Sequence, residues 1–303
     1  MTLQGVLLPV TTPFDPASGQ IAPVHFRDNL RAYVAQGIHG VVVAGSTGEA
    51  PLLDEEEVVQ LVEWARDIVP PELMLVAGTG TESTRATVRM SRAVSKAGAD
   101  AALVRPPAYY RAAMDADAIR LHFEAVADAA SLPIILYHVP KFVPVELTAG
   151  LLAELGTHPN VVGIKDSSAD LKLLGAFLDA APPGCRVMVG AGSKLYAALE
   201  MGAAGGILGV GCFAPRAAVQ VFERFRAGDM AASGATQGRL MSPNKLIVGE
   251  LGVAGVKHAL DLVGYYGGPP RPPLRPLNER DQARVRAELE SSGLLAQETR
   301  SAG

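Results

Sequence analysis

The 303-residue sequence predicts a (β/α)8 barrel followed by C-terminal helices. Eight short apolar runs, many β-branched, recur before residue 212. Longer amphipathic segments with apolar spacing near 3.6 separate them. The chain is 49% hydrophobic and 19% charged, so it can bury one barrel-sized core and still carry an appendage.

The strand candidates, in order, are GVLLPVT (5 to 11), GVVVAG (40 to 45), LMLVAG (73 to 78), AALVRP (101 to 106), PIILYHVP (133 to 140), NVVGIK (160 to 165), RVMVG (186 to 190) and GGILGVG (205 to 211). They are apolar on both faces, as strands of a parallel sheet covered by helices must be. Helices are predicted over 54 to 68, 83 to 97, 115 to 129, 146 to 155, 169 to 180 and 214 to 227. Eight alternating units close into a barrel. The runner-up, a doubly wound sheet, lacks a GxGxxG opening a helix after the first strand; GTG at 78 to 80 has no third glycine. The barrel is assigned to 1–228 and a helical extension to 229–303. The Pro-rich run YYGGPPRPPLRP (265 to 276) reads as an ordered connection between helices, and 298 to 303 as a frayed tail.

A net charge of -4 and a pI near 5.9 give no reason to expect nucleic acid or an anionic membrane as partner. No apolar run is long enough to span a bilayer and the start has no basic n-region, so a cytoplasmic location is expected. Cys185 and Cys212 lie in apolar, Gly-rich surroundings and read as buried thiols. The six histidines show no metal-ligand spacing, so neither metal nor other cofactor is expected.

Barrel enzymes work at the C-terminal ends of the strands. The second run ends in GSTGE (45 to 49), the fifth carries Tyr137, and the sixth ends in Lys165 followed by Asp166, Ser167 and Ser168. Burying an ammonium is costly, and the desolvation that makes it costly also leaves a neutral, nucleophilic amine fraction able to form an imine with a ketone. A snorkelling lysine is the alternative reading. Ser46 and Thr47 place two hydroxyls beside backbone N–H groups, an array suited to a carboxylate, although the glycines alone also describe an ordinary tight turn. Tyr137, on the strand beside that of Lys165, reads as a proton relay or as a core aromatic. Lys165 is taken as exposed at the barrel mouth and dispensable for packing.

GSTGE, PPAYYR (106 to 111), YHVP (137 to 140) and GIKDSS (163 to 168), in this order, resemble the N-acetylneuraminate lyase and dihydrodipicolinate synthase family over nearly the whole chain. The resemblance implies a class I aldolase, a homotetramer built as a dimer of dimers, and pyruvate or another 2-oxo acid bound as an imine on Lys165. It implies Tyr137 as proton shuttle, Ser46 and Thr47 as carboxylate holders, Tyr109 reaching the neighbouring subunit's site, and Ile207 lining the pyruvate pocket. Ser167, in the GIKDSS motif, is carried as a further substrate-binding candidate.

Departures bear on the substrate. Where the diaminopimelate-pathway synthase resembled here has an arginine for a second carboxylate, this chain has Phe142, and a phenyl ring cannot copy a bidentate guanidinium. Lys141 and Arg111 are the nearby cations that remain. Where sialate lyases carry an acidic pair, Gly192 and Ser193 stand. GTGTEST (78 to 84), HPNVVGIKDSS (158 to 168) and GYYGGPPRPPL (264 to 274) resemble 4-hydroxy-2-oxoglutarate aldolases most closely. The expected order is therefore a pyruvate-releasing 2-oxo-acid aldolase, then the synthase condensing pyruvate with aspartate semialdehyde, then a sugar-acid dehydratase. A non-catalytic 2-oxo-acid-binding barrel and a phosphate-binding isomerase, the latter from the glycines of 190 to 193 and 205 to 211, are the readings from other classes.

Overall fold

The computed structural model describes residues 2–299. Eight parallel strands close on themselves in sequence order: β1 (Gly5–Pro9), β2 (Gly40–Val43), β3 (Met74–Gly78), β4 (Ala101–Val104), β5 (Ile134–His138), β6 (Val161–Asp166), β7 (Arg186–Val189) and β8 (Gly205–Ile207). β8 pairs with β1, so no sheet edge remains and the expected barrel forms.

Eight helices cover the barrel: α1 (Pro23–Val34), α2 (Glu55–Arg66), α3 (Thr84–Lys96), α4 (Ala116–Ala129), α5 (Ala149–Leu155), α6 (Leu171–Ala180), α7 (Leu195–Glu200) and α8 (Pro215–Arg226). Short polar side chains start most of them by accepting otherwise orphaned N–H groups. Ser83, Asp115, Thr148 and Asp170 cap α3, α4, α5 and α6, and Asp54 with Glu57 forms a capping box on α2.

Several boundaries differ from expectation. The helix predicted from 146 begins at Ala149, because the run after β5 turns back on Val139 and then stays out of helix until the Thr148 cap. The helix predicted from 169 begins at Leu171 behind the Asp170 cap, with Ala169 left-handed at φ 64°. β6 runs through Asp166 rather than ending at Lys165. β8 is three residues long, and the rest of its apolar run winds into a 3-10 turn, Gly209–Cys212.

Beyond the barrel come α9 (Met230–Pro243), a π-helical turn Asn244–Glu250, α10 (Gly252–Leu262), α11 (Glu279–Ser291) and α12 (Leu294–Glu298). The Pro-rich run is an ordered tie, as expected: Arg271 makes a two-pronged ion pair with Glu57 of α2 and donates to the carbonyls of Leu52 and Gly19. The frayed tail is corrected at its start. Glu298 is buried and its carboxylate accepts the N–H groups of Arg216 and Ala217 at the open end of α8; residues 300 to 303 lie outside the described residues. Both cysteines are free and buried, and burial pushes Cys185 up to about 11 and Cys212 up to about 12. No helix among the described residues is long and apolar enough to cross a membrane.

Candidate active site

Six of the seven side chains singled out as site residues in the sequence meet at the C-terminal mouth of the barrel. One cavity of about 200 Å³ is lined by Lys165, Tyr137, Ser46, Thr47, Ser167 and Ile207. Register brings the first two together: Tyr137 on β5 pairs directly with Lys165 on β6, and both side chains point inward. The Lys165 Nζ stands 4.2 Å from the centre of the Tyr137 ring, and the Tyr137 hydroxyl lies 3.3 Å from the Ser46 hydroxyl. Lys165 is only 5% exposed, so the expectation of an exposed lysine is corrected: it is buried, with its amine on the cavity. No carboxylate side chain lines the cavity among the described residues.

Two glycines make room. A Cβ at Gly190 would stand 1.9 Å from the Ser167 hydroxyl. One at Gly209 would stand 3.0 Å from Val248, closing the gap between the barrel and the C-terminal extension.

The next residues along β5 and β6 face the other way. His138 Nδ1 lies 2.7 Å from Asp166 Oδ1, both are buried, and the His138 ring meets Phe177 of α6 edge-on. Asp166 also accepts the Ser168 N–H and hydroxyl. This outward pair fastens the two strands immediately next to the inward Tyr137 and Lys165.

Tyr109 is not in the cavity. It lies on the loop after β4, 80% exposed, edge-on to Tyr110, with its N–H and that of Ala108 held by the Glu82 carboxylate, which Arg105 also grips. Arg111 is exposed nearby and does not line the cavity. Phe142 and Lys141 do line it, and on the seventh strand's side Gly190 and Ala191 line it in place of Gly192 and Ser193.

Sequence reasoning missed the contribution of the extension. Asn244, Val248, Val253 and Val256 supply one wall of the cavity, so the pocket is not made by the barrel alone. It also missed what holds that wall. Glu49, last residue of GSTGE, takes a left-handed conformation (φ 60°) and is buried; its Oε1 lies 2.5 Å from the Lys257 Nζ of α10, a close ion contact without good hydrogen-bond alignment. Glu49 Oε2 accepts the Arg271 N–H, Lys257 donates to the Pro269 carbonyl, and the Lys257 and Arg271 cations both stack on Phe14. Burial lowers the Lys257 pKa, opposed by Glu49. The signal was present as an acid closing a Gly-rich turn and a lysine inside the apolar run VAGVKHAL.

A closed barrel with a buried lysine amine, a phenol and a hydroxyl pair at its mouth is the apparatus of a class I aldolase, a carbon–carbon lyase. The chain belongs to the dihydrodipicolinate synthetase family, whose model matches residues 2–292. It is 36% identical over 293 residues to an uncharacterised DapA-like lyase of Halobacterium salinarum, covering 97% of this chain and 95% of that one. It is 32% identical over 296 residues to the 4-hydroxy-tetrahydrodipicolinate synthase of Methanopyrus kandleri, covering 97% of each. Among solved structures, YagE of E. coli K12, a prophage protein of the dihydrodipicolinic acid synthase family in complex with pyruvate, superposes with a TM-score of 0.92 at 28% identity, covering 97% of this chain and all of that one. The chloride-inhibited dihydrodipicolinate synthase of Acinetobacter baumannii, complexed with pyruvate, gives 0.92 at 29% identity over 97% of this chain and 100% of that one.

Proposed function

We propose that the chain cleaves a short 4-hydroxy-2-oxo acid, with 4-hydroxy-2-oxoglutarate the best-fitting substrate, to pyruvate and an aldehyde through an imine on Lys165. The observation that carries this reading is the convergence of a buried amine, the Tyr137–Ser46 hydroxyl pair and the Thr47 hydroxyl on one cavity. In it, Ser46 and Thr47 hold the C1 carboxylate while the neutral Lys165 amine adds to C2. The Tyr137 hydroxyl relays the protons that turn the carbinolamine into a protonated imine and release water. Loss of the C4 hydroxyl proton then breaks the C3–C4 bond; its electron pair flows into the imine, giving an enamine and the aldehyde. Protonation at C3 and hydrolysis free pyruvate and restore the amine. Ile207 and Ser167 pack beside the reacting carbons.

Condensation of pyruvate with aspartate semialdehyde is the second reading, favoured by the naming of several relatives, including the M. kandleri enzyme, as synthases of that product. What ranks it second is the resemblance of GTGTEST, HPNVVGIKDSS and GYYGGPPRPPL to 4-hydroxy-2-oxoglutarate aldolases; Phe142, whose ring lines the cavity and offers no donor, bears equally on the second carboxylate of either substrate. Assembly as a homotetramer is part of the proposal, supported by the exposed Tyr109 and Tyr110, and so is a cytoplasmic setting, where two free thiols persist.

Two measurements test the proposal. Pyruvate with borohydride should add a stable adduct to the peptide carrying Lys165, and Lys165→Ala should lose both adduct and turnover; an adduct persisting in that variant refutes the assignment. Comparing kcat/KM for cleavage and condensation ranks the substrates, and a faster condensation, at roughly 10⁴ M⁻¹s⁻¹ or more, reverses the ranking while keeping the imine chemistry.

A further inference from the structure

The turn that carries Ser46 and Thr47 holds a backbone shape that its own residues disfavour. Among the described residues three non-glycine positions are left-handed, Ala44 (φ 51°), Glu49 (φ 60°) and Ala169 (φ 64°). The first two bracket the turn, Ala44 directly before Gly45 and Glu49 directly after Gly48. A residue with a Cβ stays in that region only where its surroundings fix it there. The barrel supplies part of the hold: the Glu49 N–H donates to the Ser46 carbonyl, and the buried Thr12 hydroxyl donates to the Gly48 carbonyl at 2.7 Å. The extension supplies the rest through the Glu49 side chain, whose Oε2 accepts the Arg271 N–H at 2.8 Å and whose Oε1 faces the Lys257 ammonium. Neither Glu49 nor Lys257 lines the cavity, so neither touches a ligand there.

We propose that Glu49, anchored by Lys257, is a positioning residue for carboxylate recognition: it keeps the turn wound so that the Ser46 and Thr47 hydroxyls stay on the cavity. The path from α10 to the ligand is short. Lys257 is fixed by the Pro269 carbonyl at 2.8 Å and by the Phe14 ring, it fixes the buried Glu49 carboxylate, and Thr47 and Ser46 stand two and three residues back along the same turn. Releasing the carboxylate lets Glu49 leave the left-handed region; the Gly48–Glu49 peptide turns with it and takes Thr47 and Ser46 off their places. The hydroxyls then no longer converge on one carboxylate, whereas Lys165, on β6, keeps its position. The loss is therefore specific to ligands that carry a carboxylate. The inference rests on Ser46 and Thr47 as the carboxylate holders and names what holds them.

The test uses the full-length protein and reads imine trapping, which needs no turnover. Half-saturating concentrations for borohydride inactivation are measured for pyruvate and for hydroxyacetone, a neutral ketone without the carboxylate, in wild type, in Lys257→Met, and in Lys257→Met combined with Glu49→Gln. Each protein is assayed well below its own melting temperature. Wild type should favour pyruvate. Lys257→Met should weaken pyruvate by on the order of 10-fold, the worth of a hydrogen bond to a charged group, and leave hydroxyacetone within about twofold. The double variant has no stranded charge, so it should regain stability without regaining the preference, an outcome that a role in stability alone does not produce. An unchanged preference in Lys257→Met, equal weakening of both ketones, or a double variant that recovers preference together with stability overturns the inference. If wild type still favours pyruvate in those cases, Ser46 and Thr47 keep their role without it. Equal trapping of both ketones by wild type removes the carboxylate reading as well, and trapping of neither removes the imine reading itself.

Discussion

Removing the Lys257 ammonium tests whether the buried ion pair joins the barrel mouth to the extension. Lys257 and Glu49 have side chains 1% and 0% exposed, so Lys257→Met leaves a carboxylate in the interior with the Arg271 N–H as its remaining donor. Breaking a buried pair from one side costs about 3–5 kcal/mol. Unfolding entropy near 2.1 cal/mol/K per residue gives about 0.6 kcal/mol/K for a chain this long, so the melting temperature should fall by roughly 5–8 °C. Adding Glu49→Gln removes the stranded charge while keeping an acceptor for Arg271, and should restore more than half of the loss. Differential scanning calorimetry at one protein concentration reads both. A single variant melting within about 2 °C of wild type, or a double variant less stable than the single one, refutes the reasoning.

Tyr137→Phe should still bind pyruvate yet lose on the order of 10²-fold to 10⁴-fold in the rates of imine trapping and turnover, because only the proton-relaying hydroxyl is removed; wild-type rates would make Tyr137 a packing residue. Burial raises the Glu298 carboxyl to about 6 from its ordinary 4.5, so between those values the folded chain holds a proton that the unfolded chain has released. The resulting stabilisation, on the order of 2 kcal/mol, is fully present below pH 4.5 and is lost as pH rises through 6. Hydrogen-exchange protection of α12 should decline over that window in wild type and stay flat in Glu298→Gln; parallel curves would count against it. Chelators should leave cleavage unchanged, since a protonated imine already supplies the electron sink a metal would provide, and recovery of lost activity by an added divalent ion would contradict this.

The barrel was legible because the strands are apolar runs and five of the eight barrel helices carry their own side-chain cap, both local signals. Lys165 and Tyr137 stood out because a lysine is expensive at the end of an apolar strand and because a phenol sits on the strand next to it; that they pair directly is a matter of register that only the structure shows. The burial of Lys165 was misjudged, since a strand-end position does not reveal how far the loops and the extension rise around it. Glu49 and Lys257 escaped because their partnership joins distant parts of the chain, and inside a helix a lysine looks like an outward-facing polar residue until its surroundings are known. The His138–Asp166 pair was hidden for the same reason: each residue reads alone as a strand-end polar group, and only the β5–β6 register joins them.

The contribution of the extension to the cavity wall sets an order of events during synthesis. Lys165 leaves the ribosome about 90 residues before Lys257, a delay of roughly 5–20 s at ordinary elongation speeds. Through that interval the nascent barrel holds Lys165 without Asn244, Val248, Val253 or Val256 to wall the cavity, and without the lysine that seats α10 against Glu49. The complete cavity therefore arrives with the last part of the polypeptide, and an abandoned translation product ending at the eighth strand would carry the Lys165 amine but not the chamber that closes over it.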